Sequence, residues 1–344
     1  MIRTKPQLNC PVCSTNGTTL HKGLTDFLSD VPGTWNIRSC DNEKCNTIWL
    51  DPRPIPEDTH LLYGDYHTHS DPTQTLSVKR RGVRHLLDLM NESVLSEELK
   101  YDSNIPKWFR VLLNTISKLH PGWRDEKKNQ VLYVPFKKGG SLLDVGCGAG
   151  NAMQILQSKG WQVTGTDFDE GAVENTRKKG LTVHLGDLID INFPAESFDA
   201  ILCCNVVEHA QDPLGLLEEC RRILKKGGQL TMITNSSVSR GHKRFGAHWR
   251  GLEIPRHLQI FTPYSLEALA KKAGFSKAQG KNCMQGIYYM WDASEEHEKS
   301  GTFDLPTPTR WQRIKSRIKS YTSGLRLAFF PGSEESIVLY ATKD

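Results

Sequence analysis

Chemistry is first legible at Asp144, where an apolar run opens into Asp144, Val145, Gly146, Cys147, Gly148, Ala149, Gly150 and Asn151. The three glycines lack the side chains that would stop the backbone from turning sharply and from meeting a ligand closely. Their spacing is Gly-x-Gly-x-Gly rather than the Gly-x-Gly-x-x-Gly of dinucleotide binders, which argues against a nicotinamide dehydrogenase. Asp167 closes the next apolar run, twenty-one residues after Gly146, where a carboxylate accepts both hydroxyls of a ribose; Phe168 follows it. Asp187, just ahead of Leu188, stands after the third run, in place to take the exocyclic amine of an adenine. The plain alternative is a tight turn with helix-capping acids, yet a purely structural turn does not call for an acid at two later strand ends. Together the three elements describe a nucleoside site.

The fourth apolar run, Phe198 to Asn205, leads into Val206, Val207, Glu208 and His209, at the strand end where doubly wound sheets place their ligands. His209 has an ordinary pKa suited to proton transfer near neutrality, and Glu208 is its neighbouring carboxylate, so either is a candidate general base. The competing reading makes the pair a helix cap or a cofactor contact. Beyond the fifth run, residues 235–261 carry His242, Arg244, His248, Trp249, Arg250, Glu253, Arg256 and His257. Such groups suit a polar substrate, although clusters of this kind are usually solvated faces.

Cys10 and Cys13 form Cys-x2-Cys, and Cys40 and Cys45 form Cys-x4-Cys, with twenty-six residues between the pairs. Two thiolate pairs suit tetrahedral zinc, which would hold together a loop-rich segment too small for a core of its own. The second pair is wider than the usual knuckle, so free cysteines are the alternative, with His21, His67 and His69 as substitute ligands. Cys203, Cys204, Cys220 and Cys283 read as core residues.

From about Ser141 to Phe275, and again from Ser336 to Lys343, the chain resembles the class I S-adenosylmethionine-dependent methyltransferases. The hydrophobic-Asp-x-Gly-x-Gly loop and the two later acids carry that resemblance. It implies an α/β fold: a doubly wound, seven-stranded, mostly parallel Rossmann-like sheet. It also implies S-adenosylmethionine as donor, contacted by Asp144, Gly146, Cys147, Gly148, Gly150, Asp167, Phe168, Asp187, Leu188 and Asn205. A sulfonium already activates its methyl group, so the protein's main task would be in-line alignment, with a base needed more for a hydroxyl than for an amine. The stretch from Trp249 through Pro255, Arg256, His257, Leu258 and Phe261 resembles a loop that helps enclose the acceptor in sugar and small-molecule methyltransferases of bacterial polysaccharide gene clusters. His257 is thereby a further base candidate. Trp35 through Cys40 and Cys45 to Pro54, with Tyr63 and Tyr66, resembles the zinc-ribbon-like modules that precede many sugar methyltransferase domains. The implied acceptor is a hydroxyl of a sugar, nucleotide-sugar or lipid-linked glycan. Alternatives are RNA methylation with the zinc module gripping nucleic acid, quinone or lipid O-methylation, and a zinc scaffold with a vestigial cofactor fold. Asn205-Val206-Val207 departs from the Asn/Asp-Pro-Pro-aromatic motif of base amino-methylating enzymes, and no Cys-x3-Cys-x2-Cys run for a radical iron–sulfur cluster is present.

The elements that must position these groups follow from periodicity. Short apolar runs at Leu142–Val145, Val163–Asp167, Thr182–Leu185, Ala200–Cys204 and Leu230–Thr234, with helical stretches between them, predict a parallel sheet covered on both faces. Further strands are expected at Met284–Met290 and Ser336–Ala341. Val83, Leu86, Leu87, Met90 and Val94, and then Trp108, Leu112, Ile116 and Leu119, recur at helical spacing and predict two amphipathic helices. The chain thus divides into a zinc-ribbon-like module (1–71), a helical linker or cap (72–140) and a cofactor domain (141–344).

Net charge is +5, and six basic residues without an acid lie between Leu305 and Ser333. There Trp311, Ile314, Ile318, Tyr321 and Leu325 share a helical face, so a basic helical insertion is expected, packed on its own domain or, through 310–329, resting on an anionic membrane surface. No apolar run approaches the ~18 residues needed to span a bilayer. Cytoplasmic residence is the default, with peripheral contact at the inner face of the membrane as the variant. Nine cysteines in a chain of this size do not form the disulfide framework of a small secreted domain.

Overall fold

The computed structural model describes residues 2–63, 83–302 and 334–344. The expected basic helix, with Trp311, Ile314, Ile318, Tyr321 and Leu325, lies outside the described residues, as do Tyr66, His67 and His69. No helix among the described residues is long and apolar enough to cross a membrane.

The N-terminal part consists of short strands joined by turns: β1 (Thr4–Lys5), β2 (Gly17–Leu24), β3 (Trp35–Cys40), β4 (Ile48–Asp51) and β5 (Arg53–Pro54). In β3, buried Trp35 and Ile37 alternate with half-buried Asn36 and Arg38, the period-two pattern of a strand with one face on a core. Helices α1 (Val83–Leu99), α2 (Lys107–Ser117) and α3 (Pro121–Asn129) follow. Both amphipathic helices form where the periodicity places them, but much of their apolar faces is turned outward, with Leu86 and Leu87 exposed on α1 and Trp108 (71%) and Leu112 on α2. Burial falls on Val94 of the expected face, and otherwise on Leu95 and Leu99 of α1 and on Leu113 of α2.

Then β6 (Ser141–Val145), α4 (Asn151–Ser158), β7 (Gln162–Asp167), α5 (Glu170–Lys178), β8 (Thr182–Leu185), α6 (Leu188–Ile191), β9 (Phe198–Cys204), α7 (Pro213–Ile223) and β10 (Leu224–Asn235) alternate. After them come α8 (Arg240–Phe245), β11 (Gln259–Ile260), α9 (Pro263–Lys272), β12 (Lys277–Cys283), α10 (Ile287–Ser300) and β13 (Ser336–Thr342). The seven-stranded sheet has the order β12-β13-β10-β9-β6-β7-β8. Only β13 runs against its neighbours. The expected doubly wound, mostly parallel sheet is therefore present. Its order reverses between β6 and β9, and a crevice at the carboxyl ends of those two strands is where such sheets bind ligands.

One strand differs from expectation. Met284–Met290 is not a strand: β12 ends at Cys283, Gly286 takes a left-handed φ of +69°, and α10 begins at Ile287. β12 is a polar edge strand without apolar alternation, so the periodicity favoured the more apolar stretch that follows it.

The small sheet has the order β11-β4-β3-β2, so its edge strand comes from far along the chain. Leu50 donates its N–H to Leu258 at 3.1 Å, Thr262 Oγ1 donates to the Cys45 carbonyl at 2.8 Å, and Ser237 Oγ donates to the Asn46 carbonyl at 2.7 Å. Trp35, Ile37, Ile48 and Leu50 share one apolar cluster with Trp249, Leu252, Ile254, Leu258 and Ile260.

Within this junction Arg256 is fully buried, and its two terminal nitrogens donate to the two oxygens of Asp26 at 2.8 and 2.7 Å. Removing one partner of such a pair leaves a buried charge uncompensated. Asp26→Ala is expected to lower stability by about 3–5 kcal/mol in urea unfolding, and the apolar double replacement Asp26→Leu/Arg256→Met to recover much of it. A single variant within about 1 kcal/mol of wild type would show that the pair does not hold the junction.

Candidate active site

The glycine loop leaves β6 and enters α4. A β-carbon at Gly146, where φ is +68°, would meet Val206 Cγ2 at 2.5 Å, so glycine lets the two strand-end loops touch. At Gly148, where φ is +51°, nothing lies within 4 Å of the position a β-carbon would take, which leaves room for a ligand against the backbone. Asp167 ends β7 and holds this loop in place: its Oδ2 accepts from Gly148 N at 2.8 Å and its Oδ1 from Asp169 N at 2.9 Å. Each oxygen has taken one donor and keeps a second lone pair, the capacity needed for two ribose hydroxyls. Phe168 projects beside it, 60% exposed, in edge contact with Tyr63 at 5.4 Å between centroids. Asp187 caps α6 through its Oδ1, 3.1 Å from Ile189 N, on an otherwise exposed side chain. Asn205 is exposed with a left-handed φ of +55°. Leu188 and Cys147 bury their side chains in the core, so only their backbone groups can meet a ligand. Open backbone at Gly148, spare acceptors on Asp167 and Asp187 and an unburied aromatic ring fit an adenosyl group.

Across the switch point, Glu208, His209 and His257 converge, with one ligand-capable atom of each within 4.8 Å of the others. His209 Nδ1 lies 3.1 Å from the Arg256 carbonyl and 3.0 Å from Tyr63 Oη, and His257 Nδ1 lies 2.8 Å from the Gly251 carbonyl. A carbonyl oxygen only accepts, so each Nδ1 carries the proton and each Nε2 presents a lone pair. Burial lowers the pKa of His209 and takes that of His257 down to about 3. Burial also pushes the Glu208 carboxyl up to about 8, an effect the Thr234 hydroxyl eases without reaching hydrogen-bonding geometry. The surroundings therefore favour the uncharged form of all three groups. Tyr63 touches both Phe168 and His209, so it joins the nucleoside side of the crevice to this cluster.

Residues 118–279 match the family described as a methyltransferase domain. A ubiquinone biosynthesis O-methyltransferase of Cereibacter sphaeroides is 31% identical over 178 residues, 47% of this chain and 70% of that one. The chain belongs to the class I S-adenosylmethionine-dependent methyltransferases. The corresponding Pseudomonas aeruginosa enzyme is 28% identical over 178 residues, 47% of this chain and 72% of its own length. A phosphoethanolamine N-methyltransferase of Haemonchus contortus, solved with S-adenosyl-L-methionine, has a TM-score of 0.45 at 16% identity, covering 91% of this chain and 70% of that one.

In this methyltransferase most polar groups of the 242–257 loop are turned inward. Arg250 and Glu253 pair with each other while buried, and Arg256 faces Asp26. Trp249 is buried, stacked on His242 at 5.0 Å between centroids with its indole N–H on Glu335 at 3.0 Å, so it is not a free platform for a sugar ring. His257 is the member of this loop that reaches the cluster. Several positioning residues carry no local signal in the sequence. The Gln259 amide donates to the carbonyls of Val207, Glu208 and Ala210 at 2.9, 3.2 and 2.9 Å. Buried Arg53 donates to the carbonyls of Ala210 and Gln211 at 3.0 and 2.6 Å. Their partners lie some fifty and more than one hundred and fifty residues away, respectively.

The four N-terminal cysteines also come together, with Sγ atoms all within 4.8 Å and with Cys10–Cys45 and Cys13–Cys40 at 3.7 and 3.4 Å. A tetrahedral ion about 2.3 Å from each sulfur needs edges of about 3.8 Å, so the donor set fits one. His21 is no substitute ligand, since it lies against His242 with Nε2 atoms 3.3 Å apart.

Asp144 is fully buried beneath the loop, its Oδ2 without a hydrogen-bond partner, and burial followed by the Asp167 charge pushes its carboxyl up to about 8. The folded methyltransferase keeps a proton there that the unfolded chain releases above about pH 4, so this residue's contribution to stability falls as pH rises from about 4 to about 8. Asp144→Asn removes that loss. Urea unfolding at pH 5 and pH 8 is expected to show a shallower decline in the variant than in wild type; equal declines would show that Asp144 is ionised in the native state.

Proposed function

We propose that this methyltransferase acts on a hydroxyl oxygen of a small polar acceptor, a sugar, nucleotide-sugar or lipid-linked glycan. The observation that carries the reading is the largely buried cluster of Glu208, His209 and His257 at the carboxyl end of β9, beside Tyr63 and the nucleoside side of the crevice. An amine can attack a methyl donor as the free base, whereas a hydroxyl has to give up its proton. Sugar hydroxyls are less acidic than phenols and depend more on such activation, and three groups converge here on one point. A second reading, methylation of a phenolic hydroxyl of a quinone precursor, is supported by the names of the two relatives matched over most of their length.

When bound, S-adenosylmethionine supplies an electrophilic methyl group and departs as a neutral thioether. Asp167 would hold the ribose, Asp187 and the start of α6 the adenine edge, and Gly146 to Gly150 the backbone-facing part. His209 and His257, neutral and with Nε2 open, would make the acceptor oxygen nucleophilic by accepting its hydrogen bond, with Glu208 beside them. Tyr63 fixes His209 through Nδ1 and leaves Nε2 to face the acceptor. His209→Ala is expected to lower turnover by about 100-fold or more with little change in S-adenosylhomocysteine affinity. Incubation with radiolabelled S-adenosylmethionine and a panel of nucleotide-sugars and catechols reads the acceptor. Label on nitrogen or carbon alone, or an unchanged His209→Ala rate, would remove the O-methyl reading.

The cysteine cluster is proposed to hold a structural zinc ion. Because β11 pairs with β4, the zinc would steady the segment that carries His257 as well as its own turns. Elemental analysis is expected to find this zinc, and Cys40→Ser/Cys45→Ser to lose it together with most turnover, while S-adenosylhomocysteine still binds. A zinc-free variant with wild-type turnover would assign the cysteines no part in shaping the site.

A further inference from the structure

Glu208 has no exposed surface, and neither of its carboxylate oxygens has a hydrogen-bond partner among the described residues. A buried carboxyl without donors is costly and calls for an explanation. Its neighbours in the cluster are two imidazoles whose Nδ1–H groups are both tied to backbone carbonyls, Arg256 for His209 and Gly251 for His257. That is the outer-shell arrangement by which metal-ligating histidines are oriented, with Nε2 left free to coordinate. Glu253 Oε2, which pairs with Arg250, stands 3.7 Å from His257 Nε2. From these contacts we propose that Glu208, His209 and His257 bind a divalent first-row metal ion, on which the acceptor hydroxyl is activated for methyl transfer.

Two nitrogens and one carboxylate oxygen suit zinc, iron(II), cobalt(II) or manganese(II) better than magnesium or calcium, which prefer oxygen donors throughout. An ion about 2.1 Å from each donor spans donors up to about 4.2 Å apart. One donor atom of each side chain lies within 4.8 Å of the others, close to that span. Three protein ligands leave open positions for a substrate oxygen, and partly buried His209 is the least buried of the three. The ion's charge lowers the hydroxyl's pKa, and the proton passes to water. The oxygen–methyl bond forms as the sulfur–methyl bond breaks, its electron pair remaining on sulfur, and the oxidation state of the ion does not change. This site lies apart from the four cysteines and rests on the hydroxyl-acceptor reading above.

The full-length chain with zinc on its cysteines is titrated with manganese(II) chloride, free ion being read by electron paramagnetic resonance. Wild type is expected to bind about one manganese per chain, with Glu208→Gln and His257→Ala each weakening binding by about ten-fold or more. Retained S-adenosylhomocysteine binding checks that each variant is folded, and two variants guard against one that is not. No manganese bound at millimolar concentrations, or equal binding by both folded variants, overturns the site. Methyl transfer is then measured after weakly held divalent ions are removed. Activity lost and restored by manganese supports the role, and full activity without added ion overturns it while leaving hydroxyl methylation standing. Label transferred only to nitrogen or carbon overturns the acceptor reading but not the manganese titration.

Discussion

The acceptor side of this molecule depends on a backbone pairing two residues long. Gln259 and Ile260 of β11 lie opposite Trp49 and Ile48 of β4, and this places His257 next to Glu208, whose carbonyl accepts from Leu258 N at 2.8 Å. Two pairs of ladder hydrogen bonds contribute only about 1 kcal/mol net apiece, so the pairing does not stand by its own strength. It persists because both partners lie on one apolar cluster, with Ile48 and Leu50 on one side and Leu258 and Ile260 on the other. Separating them would return most of that surface to water.

Around the pairing, charge is used for uniqueness rather than for strength. Arg256 with Asp26, and Arg250 with Glu253, are buried pairs whose Coulombic gain is largely offset by desolvation. Their effect is that any other arrangement of the loop leaves a charge unpaired in the interior. A segment with four charged or titratable groups between Arg250 and His257 is held by these pairs, and His257, with Glu253 Oε2 3.7 Å from its Nε2, is the one that joins Glu208 and His209. The Gln259 amide extends the same logic to the other wall of the crevice by tying the carbonyls of Val207, Glu208 and Ala210 after β9 to the strand that β4 holds.

What was legible in the sequence follows from the range of the contacts. Asp144, the glycines and Asp167 sit within one strand–loop–helix–strand stretch, and local backbone geometry dictates their residue types, so motif and placement agree. The cysteine pairs were legible because thiolate spacing is itself local, although their meeting closes a spacer of twenty-six residues. Gln259 gave no signal, and Tyr63 and Arg53 stood out only within the stretch resembling zinc modules, because the contacts of all three lie opposite a distant segment. Periodicity located α2 but chose the wrong face for burial, since repeat spacing identifies a helix and says nothing of what packs on it. The polar loop looked substrate-facing for the same reason: sequence shows which groups are charged, and only tertiary contacts show which of them neutralise one another.

The two sides of the crevice are not independent. Val206 Cγ2 occupies the place of the missing Gly146 side chain, so the donor loop and the acceptor loop press on each other two residues before Glu208. In-line transfer loses rate steeply when reacting atoms are misplaced by as little as about 1 Å. A larger residue at 146 would therefore harm transfer in two ways, by straining a left-handed backbone position and by prying apart the strand ends that set the donor-to-acceptor distance. The first glycine of the loop thus bears on the spacing of the two strand ends as much as on the turn of its own backbone.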